Sequence, residues 1–350
     1  MMQPARPNLE ISLVVPVLNE AGAIGDFVDR VTPILRTVCD GDTGRYEVVF
    51  VDDGSTDATV AEILRCRQRD PAVKALVLSR NFGKDIALSA GLEAACGAAV
   101  VPIDVDLQDP PEAIIELVAK WRDGFDIVYA VRSDRTSDSY TKRKTADWFY
   151  RVFNRIAETP IPEHAGDFRV LDRRVVDALM SLPERNRFMK GLYSWVGFKS
   201  AAVSVVRAPR LEGESKWKYW QLWNFALSGI FSFSTAPLRV WSYIGASIAV
   251  VGLLYATYLV LRVFVQGVVV PGYASLMVAV LFMGGLNLMT LGILGEYVGR
   301  IYTEAKQRPL YLVRERIGFD VVDASQHANQ AGPLARAEVG SIARRVGGGE

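Results

Sequence analysis

Ala98-Ala99-Val100-Val101-Pro102-Ile103-Asp104-Val105-Asp106-Leu107-Gln108-Asp109-Pro110-Pro111-Glu112 is an apolar run that ends in acid. The stretch Ala98 to Ile103 reads as a buried parallel strand, short and apolar on both faces. Beyond it come three aspartates and an amide, closed by two prolines. Side chains two apart in an extended chain point the same way, so Asp104 and Asp106 share a face, with Gln108 next if the chain stays extended. Two carboxylates and an amide oxygen are hard ligands, suited to Mg²⁺ or Mn²⁺ with a phosphate completing the shell. The carboxyl end of a parallel strand is also where α/β proteins bind ligands. A capped turn is the alternative, with Asp109 capping a helix that starts at Pro110 or Pro111. It accounts for Asp109 and Pro110 and leaves Asp104 and Asp106 without a reason.

Outward from this stretch, strands and helices alternate over residues 10 to about 205. Ile11–Val17, Glu47–Val51, Val73–Leu78, Ala98–Ile103 and Ile127–Val131 read as strands. Helices are expected near 20–38, 57–69, 84–96, 111–122 and 141–157. Such alternation predicts an α/β, mostly parallel, doubly wound sheet. Neither GxGxxG after the first strand nor a Walker A motif occurs, so those phosphate-binding fingerprints are missing. Each strand nevertheless ends in polar residues: Asn19-Glu20, Asp52-Asp53-Gly54-Ser55-Thr56-Asp57, Ser79-Arg80-Asn81-Phe82-Gly83-Lys84, and the acidic cluster. Asn19, Asp57 and Asp109 each fit a helix cap taken singly. Together on one edge they predict a binding crevice.

The C-terminal third is different. Val240 to Leu261 is 22 residues without a charge, and Val263 to Gly295 a further 33, broken only by Gln266-Gly267 and Pro271-Gly272. A bilayer core needs about 20 apolar residues in a helix. Two transmembrane helices, near 240–263 and 273–296, are therefore expected, with a turn at 266–272. A buried soluble helix pair is the alternative. Arg207, Arg210, Lys216, Lys218 and Arg239 precede the hairpin. Arg300, Lys306, Arg308, Arg314 and Arg316 follow it, and only Arg262 is near the turn. The positive-inside rule puts both ends in the cytoplasm. Gly295 and Gly299 form a small-xxx-small pair. Lys216 to Phe225 carries three tryptophans at three-residue spacing beside lysines, the composition of a helix lying in the membrane interface.

Composition narrows the class. The chain has 350 residues, 50% of them apolar, and a net charge of +1. No overall field argues for nucleic acid. Three separated cysteines and two histidines make a zinc site improbable and fit a reduced compartment. Met1 to Glu10 is polar, without the features of a signal peptide. The division expected is 1–210 catalytic, 211–238 interfacial, 239–297 membrane hairpin, 298–322 a cytoplasmic segment and 323–350 a disordered tail.

Ile11–Glu20, Val51-Asp52-Asp53-Gly54-Ser55 and Asp104-Val105-Asp106 resemble family 2 glycosyltransferases of GT-A fold. The longer string Asp106–Glu112, with Gly166-Asp167-Phe168-Arg169, Glu184–Phe188 and Gly213–Trp217, is similar to the polyprenyl-phosphate branch, over about residues 10–318. Trp217 stands where tyrosine is commoner there. The resemblance implies that Pro16, Asn19, Glu20, Asp52 and Asp53 hold the nucleotide, and that Arg80 and Lys84 lie near its diphosphate. It implies that Asp104, Asp106 and Gln108 hold the metal, and that Arg132, Arg143, Ser215 and Lys216 line the phosphates and sugar. Arg132, Arg143 and Lys216 are then the acceptor-phosphate group. Asp167, Asp106 and Arg169 are its catalytic candidates, Asp167 being the carboxylate nearest the reacting centre. It further implies a nucleotide-sugar donor with UDP-glucose leading, a polyprenyl-phosphate acceptor in the inner membrane, inversion at the anomeric carbon and a homo-oligomer, a tetramer in the family. A processive polysaccharide synthase is the nearest rival, and the QxxRW motif of those enzymes is absent. A non-enzymatic sensor of nucleotide sugar is the rival from another class.

Overall fold

The computed structural model describes residues 9–132, 162, 165–185, 187–206, 236–266 and 272–319. Two compact units contain them: one built from the N-terminal region and the segment after Gln307, the other holding the two long C-terminal helices.

The first unit is a sheet flanked by helices. In chain order its elements are β1 (Ile11–Val17), α1 (Ala21–Val38), β2 (Tyr46–Asp52), α2 (Thr59–Arg69), β3 (Val73–Leu78), α3 (Lys84–Ala94), β4 (Ala99–Pro102), α4 (Ala113–Arg122), β5 (Ile127–Arg132), β6 (Ala165–Asp172), α5 (Arg173–Ser181), α6 (Met189–Trp195), β7 (Ser200–Val205) and, after the second unit, β8 (Val313–Ile317). The strand order is β7-β5-β6-β4-β1-β2-β3-β8. β1, β2, β3 and β4 run parallel. Every residue of β2 is buried, as expected for a strand covered on both faces. Phe27 of α1 meets Phe50 of β2 edge to face, with centroids 5.9 Å apart. On the other face α3 comes so close that a Cβ on Gly91 would stand 2.3 Å from Val14 Cγ1 and 2.8 Å from Val51 Cγ2. Only glycine permits that approach.

The first five strands form where the sequence places them. Three others carry weaker signals. β6 is antiparallel to both β4 and β5, and β8 antiparallel to β3. β8 joins the N-terminal unit, so residues expected as a separate segment after the hairpin complete the main sheet. Ser79 N–H donates to Leu312 O at 2.8 Å, and Tyr311 donates to Glu93 of α3 at 2.6 Å, fastening that return. The expected 141–157 helix, the 217–225 interfacial helix and the 323–350 tail lie outside the described residues.

The order reverses beside β1: β2 and β3 build outward on one side, and β4 lies on the other. Ligands of doubly wound sheets bind at such a switch point, outside the carboxyl ends of the strands. Val17↔Asp52 and Val14↔Pro102 bring the ends of β1, β2 and β4 to that edge. β6 enters it from the opposite direction. Ala99↔Asp172 and Val100↔Leu171 fix the register, and beyond them the Lys84 ammonium reaches both Asp104 and Asp167.

The second unit consists of α7 (Ala236–Gln266) and α8 (Tyr273–Ala305). Both extend past the expected bounds, α7 by a turn at its start and α8 by more than two turns at its end. Large apolar side chains such as Leu253, Leu254, Phe264 and Leu288 are exposed on them. Among the described residues no helix is long and apolar enough to cross a membrane. Among the described residues nothing lies within 4 Å of where a Cβ on Gly295 or Gly299 would stand.

Candidate active site

The crevice floor is built by loops that brace one another. Asn19, at φ 54°, takes the Thr56 N–H on its Oδ1 at 2.9 Å, and its own N–H goes to Ser55 Oγ at 2.9 Å. Glu20 N–H donates to Thr59 Oγ1 at 2.9 Å. Asp57 accepts from Thr59 N–H at 3.0 Å just ahead of α2, whose N-cap position is Ala58 and carries no side-chain cap. These bonds pin the loop after β1 to the loop after β2. Pro16 sits half-buried on β1 opposite Val51.

Asp52 and Asp53 are buried, and their oxygens face the backbone. Asp52 accepts the Ser55 N–H at 3.2 Å. Asp53 accepts from Phe82 N–H at 2.7 Å and Gly83 N–H at 2.9 Å. Burial pushes the Asp53 carboxyl up, and these two N–H groups pull against it. The resemblance has the pair at the nucleotide; in this structure its oxygens also shape the loops there. Gly54, at φ 77°, lets that turn close, since a Cβ there would stand 2.6 Å from the Arg80 carbonyl carbon. Arg80 itself is exposed, its guanidinium 4.0 Å from the Phe82 ring centre.

Lys84 opens α3 and bridges two strands. Its Nζ is 2.7 Å and 2.8 Å from the two Asp104 oxygens and 3.0 Å from Asp167 Oδ2. Burial would lower the lysine, but Asp167 and Asp104 together raise it well above its ordinary value. Asp167 gains most from the arrangement. Burial would raise its carboxyl, yet Lys84, Lys190 and Arg169 hold it well below the usual carboxylate range. Asp104 goes the other way: burial raises it more than Lys84 lowers it. One carboxylate of the facing pair is thus firmly ionised and the other is easier to protonate.

The acidic cluster turns rather than staying extended. Leu107 takes φ 54°, and Gln108 N–H folds back onto Asp106 Oδ1 at 3.2 Å. Burial still alternates: Ile103, Val105, Leu107 and Asp109 are buried, while Asp104, Asp106 and Gln108 are half-exposed. α4 begins at Ala113, with no side-chain cap. Gln108 Nε2 is buried without a hydrogen-bond partner among the described residues, so its amide head is turned inward. Two carboxylates and an amide oxygen fit a hard divalent ion. Among the described residues no three His, Cys, Asp or Glu side chains gather tightly enough to hold one. An ion here needs oxygens from phosphate or water as well, as Mg²⁺ usually does.

Arg169 lies two residues beyond Asp167 on β6. It is 4% exposed, donates to Gly166 O at 2.5 Å, and its guanidinium carbon is 3.8 Å from the Tyr193 ring centre. Arg132 closes β5, opposite Val205. Arg143, Ser215 and Lys216 fall outside the described residues. The structure adds three groups that the sequence reading passed over: Asp85, Lys190 and Tyr193. Burial, then the charge of Asp167, pushes Asp85 up to about 7. Its position directly after Lys84 was the available signal. Lys190 and Tyr193 follow the Glu184–Phe188 motif, one helical turn apart on α6, a spacing only the fold makes meaningful.

A crevice at the switch point of a doubly wound sheet, with an acidic cluster opposed by a lysine, defines a class. Residues 12–180 match the family described as Glycosyl transferase family 2, and residues 236–301 match the GtrB C-terminal hairpin. The chain belongs to glycosyltransferase family 2 and is a glycosyltransferase. Among its relatives, the bactoprenol glucosyl transferase of Shigella phage SfV is 51% identical over 306 residues, 87% of this chain and 98% of that protein. A prophage bactoprenol glucosyl transferase homolog of Escherichia coli is 49% identical, covering 87% of this chain and 99% of the homolog. An uncharacterized glycosyltransferase of Synechocystis sp. is 51% identical, covering 89% and 97%. A solved mannosyltransferase of Pyrobaculum calidifontis, in complex with GDP-Man and Mn2+, aligns over 87% of both chains at 18% identity and a TM-score of 0.42, too distant to bear on the chemistry here.

Proposed function

We propose that the protein transfers a sugar, with glucose from UDP-glucose leading, onto the phosphate of a membrane polyprenyl phosphate, inverting the anomeric carbon. The observation that carries the chemistry is the Lys84 bridge between Asp104 and Asp167 at the switch point. The acceptor is argued from the full-length likeness to bactoprenol glucosyl transferases, hairpin included.

In this reading an acceptor phosphate oxygen attacks the anomeric carbon as the bond to the nucleoside diphosphate breaks. A lipid monophosphate is already ionised at neutral pH, so no strong general base is required. Positioning and charge neutralisation carry the rate. Asp167, kept ionised by Lys84, faces the cationic character that develops on the sugar, with Arg169 beside it. Lys84 and Arg80 serve the leaving diphosphate. Asp104, Asp106 and Gln108 would hold Mg²⁺ or Mn²⁺, which when bound supplies positive charge to that diphosphate. Pro16, Asn19 and Glu20 border the nucleoside, with Asp52 and Asp53 holding the loops that line it. Ser215 and Lys216 belong to the donor side, and Arg132, Arg143 and Lys216 to the acceptor phosphate.

The hairpin brings this crevice to the bilayer where the acceptor lies. Support comes from the uncharged runs of 22 and 33 residues and the basic residues at both outer ends. The return of the chain to its first unit as β8 is compatible with a hairpin whose two ends lie on one side. Both termini are then cytoplasmic, with the enzyme in the inner membrane as a homo-oligomer. A donor screen on purified membranes with undecaprenyl phosphate tests the reading. Radiolabel from UDP-glucose should enter the lipid phase; label from no nucleotide sugar would defeat it.

A further inference from the structure

The pair that flanks the reacting centre is itself seated on something. Arg169 and Tyr193 are 4% and 3% exposed, and the guanidinium lies 3.8 Å from the ring centre. The Tyr193 hydroxyl is wholly buried and has no hydrogen-bond partner among the described residues. A buried hydroxyl left unpaired destabilises a fold, so among the described residues the contact that favours the tyrosine is made by its ring. α6, which carries it, is packed against α3 through Ser89 Oγ and Met189 Sδ at 3.6 Å, and α3 carries Lys84 at its start. Of the three cations that act on Asp167, Lys84 comes from α3 and Lys190 from α6, two elements in contact, and Arg169 meets the same α6 through the ring of Tyr193.

We infer that Tyr193 is a positioning residue, its ring a seat that fixes the Arg169 guanidinium beside Asp167. This rests on the reading of Asp167 as the carboxylate at the reacting centre. A cation over an aromatic face is attracted by the ring quadrupole, most strongly when both are out of water. A guanidinium without that seat keeps its bond to Gly166 O but loses the contact that sets its plane relative to the carboxylate two residues back on the strand. Donor binding, which the inference leaves to other residues, is not expected to change.

The test is a double-mutant cycle in the full-length membrane protein. Tyr193→Leu should lower kcat for sugar transfer about tenfold, with the donor KM altered less than about twofold. Tyr193→Phe keeps the ring and should recover most of that loss. In an Arg169→Met background Tyr193→Leu should cost little more, because the cation it seats is already gone. Should the leucine variant fail to fold, Tyr193→Met, closer in volume, carries the same comparison. Wild-type kcat in the leucine or methionine variant, equal losses for phenylalanine and leucine, or additive losses in the cycle would each overturn the inference. The cycle read on thermal unfolding needs no substrate. Coupling is expected there too, and additivity would remove the seat even if the wild type proved inactive on polyprenyl phosphate. That inactivity with intact coupling would count against the functional reading alone.

Discussion

Replacing Lys84 by methionine isolates the charge at the centre of the crevice. The side chain keeps its length and loses an ammonium that touches Asp104 at 2.7 Å and Asp167 at 3.0 Å. Each charge-assisted hydrogen bond is worth about 1.5–3 kcal/mol, but the lysine is nearly half exposed, so one bond's worth is the safer figure for the pair. Transfer should then fall roughly ten- to a hundredfold. The pH dependence should change in kind. With Lys84 present, Asp167 lies well below the usual carboxylate range and stays ionised down to strongly acidic pH. Without it only Lys190 and Arg169 still oppose burial, so the carboxyl rises from that low range and Asp167 takes up a proton at a higher pH than in the wild type. The variant should therefore gain an acid limb in kcat and recover part of its activity in alkali. Rate profiles of purified protein between pH 5.5 and 9 would show this. A variant with wild-type kcat and an unshifted profile would refute the argument that the lysine holds Asp167 ionised.

Chelation should abolish transfer, with Mg²⁺ or Mn²⁺ restoring it, and Asp106→Asn should lose activity while still inserting in membranes; full activity in excess EDTA would sink the metal assignment. Asp85 has a folded pKa of about 7, above its unfolded value, so it favours the fold at low pH and this contribution is lost as pH rises through neutrality. Asp85→Asn should thus stabilise the protein by about 1–3 kcal/mol at pH 8 and by almost nothing at pH 4, as denaturant melts at the two pH values would report. Arg143→Ala should weaken use of polyprenyl phosphate roughly ten- to a hundredfold and leave donor affinity nearly unchanged. Donor titration beside acceptor kinetics checks this, and weakened donor binding with normal acceptor kinetics would move the arginine to the other substrate.

The parallel strands were legible because each is a short apolar run between polar loops, and β2 is buried throughout. β6 was harder: Gly166-Asp167-Phe168-Arg169 alternates charge with an aromatic ring, because one face of the strand serves the crevice and the other the core. β8, Val313–Ile317, reads as a charged surface segment, and only its pairing with β3 makes it a strand. In the site, Asp104 and Lys84 could each be picked out from the sequence, twenty residues apart. Their contact with Asp167 depends on the antiparallel register of β6, which no local pattern encodes. Asp52 and Asp53 carry a role the motif did not announce: their oxygens take the Ser55, Phe82 and Gly83 amides. A carboxylate beside a tight turn satisfies backbone N–H groups first, and sequence does not reveal which way it points.

The most direct test of the central claim is a mass measurement on the products of purified protein, UDP-glucose and undecaprenyl phosphate. Attack by the lipid phosphate on the anomeric carbon predicts a lipid heavier by one hexosyl residue and an equal amount of released UDP. Release of UMP with a sugar phosphate added to the lipid, or no change in the lipid for any nucleotide sugar, would contradict it.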